Sequence, residues 1–472
     1  MTRLTKVALA GAGATAACLA IRSVSRTFEG QRNAGLANGK RIVILGAGFG
    51  GIAAALELAR LLPQTDNGDI VVIDEDNFLL FTPMLTEAAA GEINPRHIVV
   101  SLHEFSKRIR FIQGRVEHVD SNTREVTVAI GESGLDPERR KFAADHLVIA
   151  LGSVTNFHHV PGAEEHCIQV KRVGDADRIC KRALASIDRA AMESDAGKRK
   201  ALLTFVVAGG GYTGVETMAA VNDLIRMQSD EYGLDAGEVR TVLVNPGDRL
   251  LTETSAELAE YAADKLKQHG VELRMKTSVK NVSGDGVELD SGERIPSHTV
   301  IWAAGVKPNP IVESLGFPKG KHGGIKVNGC CEVESAPGVW ALGDCAEIPQ
   351  PNDAGTYAPT AQNATREGAL VAKNIVYALR GEAARPFTFK PLGELALVGR
   401  RAGVARIFGQ NLSGIVAWAL WRMVYLAKIP GVAPKSRVMM DWVLDLFFGR
   451  EPVELGGERT QTISAKAKAA GG

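Results

Sequence analysis

The chain has 472 residues, of which 45% are hydrophobic and 23% charged, with a formal net charge of +1. That length makes room for two or three domains, and a charge so near neutral excludes the global field that would gather nucleic acid. The six cysteines, Cys18, Cys167, Cys180, Cys330, Cys331 and Cys345, form no C-x-x-C pair and are too sparse for a disulfide framework, so a reducing compartment is expected.

At the amino terminus Arg3 and Lys6 precede an apolar or small run from Val7 to Ile21, followed by Arg22 and Arg26, with no acid before Glu29. This reads as a targeting or anchoring segment, since so short an Ala/Gly-rich run is marginal for crossing about 30 Å of hydrocarbon. The spelling from Gly11 to Ala16 imitates a nucleotide loop, but no room remains there for the strand, helix and second strand that such a loop needs.

The first complete unit follows. A buried-strand run from Arg41 to Leu45 enters Gly46-Ala-Gly48-Phe-Gly-Gly51, and a helix-forming run continues to Arg60. The first glycine permits the tight turn, the second admits a pyrophosphate to the backbone, and the third lets helix and strand pack closely. After a loop at Pro63 to Gly68, the strand Ile70-Val-Val-Ile73 ends in Asp74, whose carboxylate suits ribose hydroxyls. A second copy comes 163 residues later: Thr204 to Ala208, then Gly209-Gly-Gly211-Tyr-Thr-Gly214-Val-Glu216, then a helical run. Two loops in one chain predict two Rossmann-like domains that hold a hydride donor and acceptor together. The strand after the second loop, Thr241 to Val244, ends in Asn245, a neutral amide that does not repel a 2′-phosphate.

Three further runs come in order: Leu147-Val-Ile-Ala-Leu-Gly152-Ser153, Val300-Ile-Trp-Ala-Ala-Gly305, and Gly338-Val-Trp-Ala-Leu-Gly343-Asp344-Cys345-Ala346. With the two loops they resemble the motifs of the two-dinucleotide-fold flavoproteins. That resemblance implies FAD on the first loop, with Asp344 on its ribityl chain, and a nicotinamide domain inserted between the two halves of the FAD domain. The stretch Asn77 to Gly91 lacks the cysteine pair of the superfamily's disulfide reductases. It is similar instead to type II NADH dehydrogenases, single-chain NADH:quinone oxidoreductases, as is Val160-Pro-Gly-Ala-Glu-Glu-His166.

The segment Ala358-Pro-Thr-Ala361-Gln362-Asn-Ala-Thr-Arg366-Glu-Gly368 resembles the family's lining of the flavin ring and quinone pocket; Gln362 matches its first glutamine and Arg366 replaces its second. Glu216 matches a family acid near the nicotinamide, so the resemblance makes Glu216 and Gln362 the candidate catalytic residues. FAD, NADH (with NADPH also accepted, given Asn245) and a quinone are the implied cofactors and acceptor. No metal site is expected, because the ten histidines show no ligand spacing. A reductase of a ferredoxin-like protein and a sulfide:quinone oxidoreductase are the alternative readings, the latter needing two cysteines beside the flavin.

From Ala396 to Met440 the chain carries Arg400, Arg401, Arg406, Arg422, Lys428, Lys435 and Arg437 and no acid. Within and after this basic patch come the apolar run Ile415 to Ile429 and a segment from Arg437 to Phe448 whose polar residues recur every fourth position. These predict two amphipathic helices lying in a membrane interface, with lipid and a homodimer partner as contacts. The expected organisation is α/β: a targeting segment (1–37), the FAD domain in two parts (38–155 and 305–385), the NAD(P)H domain (156–304), a membrane-associating region (386–455) and a loose tail (456–472). A peripheral protein on the cytoplasmic side of a bacterial inner membrane, or at a mitochondrial inner membrane, is the setting the resemblance implies.

Overall fold

The computed structural model describes residues 39–62, 69–131, 137–351, 355–448 and 450; the segment 1–37 with its imitation loop, the loop at 63–68 and the tail from 456 lie outside the described residues. The elements that position the site run in chain order as β1 (Arg41–Leu45), α1 (Phe49–Leu61), β2 (Asp69–Asp74), α2 (Leu85–Ala89), β3 (Ile109–Gln113), β4 (His146–Ile149), β5 (Ile168–Gln169), β6 (Thr204–Ala208), α3 (Tyr212–Glu231) and β7 (Arg240–Asn245). They continue as β8 (Val271–Met275), β9 (Thr299–Trp302), β10 (Val339–Ala341), α4 (Ala361–Leu379), β11 (Gly393–Gly399), β12 (Ala402–Ile407), β13 (Gln410–Ser413), α5 (Gly414–Lys428) and α6 (Val432–Phe448).

The chain divides into two compact units. The first comprises Met1–Leu79, Ser101–Val154 and Val306–Pro391. Its centre is a five-stranded sheet in the order β10-β4-β1-β2-β3, with every pairing parallel. Strands of a parallel sheet are covered on both faces and so read as unbroken apolar runs; Ile42 through Leu45 are accordingly each 1% exposed or less. Leu45 pairs with Ile73 on one side and Ile149 on the other, so Gly46, Asp74 and Ala150 emerge from the same edge. Helices α1 and α4 cross closely there, because a Cβ on Gly368 would stand 2.1 Å from the Gly50 carbonyl oxygen.

The second unit comprises Leu80–Val100, Thr155–Gly305 and Leu392–Gly472. It repeats the device with a parallel sheet in the order β5-β9-β6-β7-β8. Here Ala208 pairs with Val244 and with Trp302, so Gly209, Asn245 and Ala303 share an edge as Gly46, Asp74 and Ala150 do. This unit also carries the antiparallel meander β11-β12-β13 followed by α5 and α6.

Helices α5 and α6 turn few residues inward: Ala417 and Trp421 from α5, and Pro434, Val438 and Trp442 from α6. Outward stand Ile415, Met423, Met439, Met440, Leu446, Phe447 and Phe448, all more than half exposed. Of the polar stripe read from the sequence, Arg437 is exposed while Asp441 and Asp445 turn inward: Asp441 Oδ2 accepts the Asn94 N–H at 3.1 Å and meets His97 Nδ1 at 2.6 Å, and Asp445 pairs with Arg450. The helix is thus inverted, greasy outside and acidic inside. Among the described residues, no helix is long and apolar enough to cross a membrane.

Candidate functional site

In the first unit the loop after β1 turns at Gly46, whose φ is +98° and whose added Cβ would lie 2.2 Å from the Ala150 carbonyl oxygen. A side chain is therefore excluded both by the backbone conformation and by the neighbouring strand end. Gly51 is held against the Gly46 oxygen, at 1.8 Å from an added Cβ, whereas a Cβ on Gly48 would meet nothing within 4 Å. The second glycine thus faces open space, as close approach by a phosphate requires. Asp74 closes the cradle: Oδ2 accepts the Ala47 N–H at 2.5 Å and Oδ1 accepts the Asp76 N–H at 2.9 Å. Burial pushes its carboxyl up while those N–H groups pull it down. A carboxylate offers about four lone-pair sites, so acceptor capacity is left for ribose hydroxyls.

Three more predicted residues come together around this edge. Gly152 (φ +65°) follows β4, Gly343 (φ +67°) follows β10, and Ser153 Oγ donates to Asp344 Oδ2 at 2.5 Å. Glu367 of α4 accepts the Gly343 N–H at 2.8 Å, and burial raises its carboxyl to about 7. Thr360 caps α4 by accepting the Asn363 N–H at 3.2 Å, which fixes Ala361 and Gln362 at the helix start. Arg366 does not reach outward from this helix. Its Nη1 donates to the Gln362 carbonyl oxygen at 2.8 Å and its guanidinium stacks 4.0 Å over the Phe389 ring.

The second unit builds the matching cradle. Gly209 (φ +115°) packs on the end of β9, with an added Cβ 2.4 Å from the Ala303 oxygen. Gly214 sits against the Gly209 oxygen, at 1.9 Å, and Gly211, like Gly48, would meet nothing. Gly305 (φ +125°) follows β9 and its carbonyl accepts the Asn156 N–H at 3.0 Å. Asn245 stands where Asp74 stands in the other unit. Its Oδ1 accepts the Gly210 N–H at 3.1 Å and its Nδ2 donates to the Gly247 and Arg249 carbonyls at 3.2 Å each. Both amide hydrogens are thereby used, so Asn245 neither repels nor donates to a 2′-phosphate, and one acceptor lone pair remains for a ribose hydroxyl.

Glu216, one turn into α3, is partly buried and forms no salt bridge among the described residues. Its Oε1 accepts two bonds, from the Leu397 N–H at 3.0 Å and the Trp421 indole N–H at 3.1 Å, and burial holds its carboxyl at about 8. Beside it lies a charge cluster that sequence reasoning missed. Arg422, read from the sequence as part of the basic patch, turns inward instead: it pairs with Glu87 at 3.3 Å and Glu92 at 3.1 Å. Trp418 and Trp442 sandwich its guanidinium, with centroids at 4.4 and 4.6 Å. Arg450 pairs with Glu92 at 2.7 Å and Asp445 at 3.1 Å. A lone Arg among apolar helical residues, with acids four residues apart on the next helix, was the available signal.

The described cysteines are all unbonded to one another. Cys167 packs into the core of the second unit beside Val206 and Val242, and Cys331 and Cys345 into that of the first. Burial pushes the Cys167 and Cys345 thiols up to about 12, which leaves them protonated and poor nucleophiles. His158 and His159 are exposed in a loop, and no group of metal-ligating side chains occurs among the described residues.

Two parallel sheets, each with a glycine loop aimed into open space and a polar side chain ending the neighbouring strand, define a two-dinucleotide-fold oxidoreductase. The chain belongs to the pyridine nucleotide-disulphide oxidoreductase family, whose model matches residues 40–368, and to its type II NADH dehydrogenase branch, with a match to the NDH2 C-terminal domain at 392–451. It is 30% identical over 428 residues to a probable NADH dehydrogenase of Dictyostelium discoideum, covering 89% of this chain and 92% of that protein. It is 27% identical to a type II NADH:quinone oxidoreductase of Staphylococcus aureus, over 79% of this chain and 91% of that one. Among solved structures, NDH2 of Plasmodium falciparum in complex with NADH superposes with a TM-score of 0.81 at 19% identity, covering 88% of this chain and 99% of that chain.

Proposed function

We propose that this protein is an FAD-dependent oxidoreductase that takes a hydride from NADH and passes two electrons to a membrane quinone, without pumping protons. The observation that carries the reading is the pair of cradles, one ended by an acid and one by an amide, in a chain whose Cys167, Cys331 and Cys345 are buried and whose described cysteines are unbonded to one another. The names of its relatives support the donor and the acceptor. In this reading Gly46, Gly48, Gly51, Asp74, Gly152, Gly343 and Asp344 hold FAD, and Gly209, Gly211, Gly214, Asn245 and Gly305 hold the nicotinamide dinucleotide, with the second fold nested in sequence inside the first. FAD, when bound, supplies the hydride acceptor and the link to the quinone.

The chain's own part is positioning. The loops fix each pyrophosphate on a helix start, Ala361 and Gln362 line the flavin, Gln362 and Arg366 line the quinone pocket, and Glu216 holds a proton close to neutrality. Sulfide chemistry through a cysteine pair is disfavoured because Cys167 is buried in the core of one unit, and Cys331 and Cys345 in that of the other.

The outward apolar faces of α5 and α6 are read as the lipid-docking surface of a peripheral membrane protein, with Arg400, Arg401, Arg406 and Arg437 exposed beside them. Each cation near an anionic surface contributes about 1 kcal/mol. A homodimer contact on the same faces is the competing occupant. The deciding experiment is anaerobic: NADH added to the purified yellow protein should bleach it, and a quinone, but not an oxidised ferredoxin, should restore the colour. A protein without flavin absorbance, or one that NADH does not bleach, ends the proposal.

A further inference from the structure

A quinone becomes a quinol by gaining two electrons and two protons. NADH delivers a hydride, which is two electrons and one proton, so NADH + H⁺ + quinone gives NAD⁺ + quinol and one proton per turnover must come from water. The second unit contains a place suited to its passage. A cavity of about 60 Å³ is lined by Glu87, Glu92, Glu216, Arg422, Asp445 and Arg450. That volume has room for more than one water, since about 10 to 15 Å³ of such space holds one, and a buried water needs two to four polar partners.

The partners are present. Glu87 is 1% exposed, and its Oε2 has no hydrogen-bond partner among the described residues, nor have Arg422 Nε, Trp442 Nε1 and Arg450 Nη1. Glu216 spends both of its bonds on Oε1. Two guanidiniums, Arg422 and Arg450, directly pair three carboxyls, Glu87, Glu92 and Asp445, while Glu216 brings a fourth. Fully ionised, the group would keep two uncompensated negative charges out of water, a cost that proton uptake removes. The cavity reaches the surface at Arg400 and Arg401, both exposed, with Asp223 also on its wall.

We infer that Glu87 relays the proton consumed in quinone reduction: it passes a proton through the cavity to Glu216 and is itself recharged from solvent past Arg400 and Arg401. Burial supports this direction, since it raises the Glu87 carboxyl well above the ordinary range, and the neighbouring Glu92 and Glu216 push it the same way against Arg422. No bond other than O–H is made or broken in the relay, and the charge left on Glu216 when it gives up its proton is what draws the next one. The inference rests on the proposed quinone chemistry and on Glu216 standing at the reacting centre.

The test separates the two half-reactions of Glu87→Gln in stopped flow. Bleaching by NADH should keep its wild-type rate, while recolouring by quinone should slow at least tenfold with a changed pH profile. Glu87→Asp should recover part of the rate. Infrared spectra of the resting protein should show a protonated-carboxyl band that Glu87→Gln removes. Recolouring at the wild-type rate, or a wild-type rate identical in H₂O and D₂O, overturns the relay, and the second measurement needs no variant to fold. Equal loss in both half-reactions with a lowered melting temperature also overturns it, making Glu87 a structural counter-charge. Failure of the wild-type protein to bleach with NADH indicts the underlying function instead.

Discussion

The indole N–H of Trp421 donates to Glu216 Oε1 across 3.1 Å, tying the helix behind the second glycine loop to the C-terminal region. It stabilises the anion, yet burial wins, and Glu216 is held at about 8 against an ordinary 4.5. A raised carboxyl means that between those values the folded chain binds a proton the unfolded chain has lost. Stability therefore falls as pH rises through this window, by about 1.4 kcal/mol per unit, and is constant again above it. Glu216→Gln removes that term. Urea unfolding of both proteins across the window should show the variant gaining on the parent with each unit of pH, and parallel curves would contradict the assignment.

Donor choice should follow Asn245. Replacing its amide by a carboxylate keeps an acceptor for the Gly210 N–H but sets a negative charge where a 2′-phosphate would lie. At about 4 Å and an effective dielectric near 20, like charges repel by roughly 4 kcal/mol, an upper figure that water reduces. Asn245→Asp should lower kcat/KM for NADPH at least tenfold and leave NADH within a few-fold. A wild-type preference for NADH above a thousandfold, or no change in the ratio, would count against a role for this position.

Both parallel sheets and both loops were legible because their signals are local. Glycine spacing, unbroken apolar strands such as Ile42 to Leu45, and a polar residue at the strand end each follow from contacts within one β-α-β unit. The partners of Arg422 were not legible, because Glu87 and Glu92 precede it by more than 300 residues and nothing in a helical run says which face is inward. The same blindness applies to α6, where Asp441 and Asp445 read as an ordinary polar stripe yet form its inner face. Glu216 was singled out only by resemblance; its burial comes from Leu397 and Trp421, which belong to a region far along the chain.

Arg422 should be the costliest surface-looking residue to remove. Its guanidinium is 14% exposed and pairs with two acidic side chains, Glu87 and Glu92, that are 1% and 12% exposed. Breaking a buried pair by deleting one partner costs about 3 to 5 kcal/mol because the remaining charge is stranded. Arg422→Met should lose stability on that scale in chemical denaturation. An unchanged midpoint for Arg422→Met would mean the pair is solvated in solution.

Phe447 and Phe448 offer the cleanest separation of lipid docking from folding. They are 74% and 80% exposed, so Phe447→Ser with Phe448→Ser removes no core contact and should leave the melting temperature unchanged. Sinking a phenylalanine into hydrocarbon contributes about 1.5 to 3 kcal/mol. Losing two such contacts should weaken vesicle binding by about a hundredfold or more. Salt should weaken binding to anionic vesicles much more than to neutral ones, because only the contribution of the exposed arginines is screened. If these faces instead join two copies of the chain, the double variant will change the mass in solution and leave vesicle binding as it was.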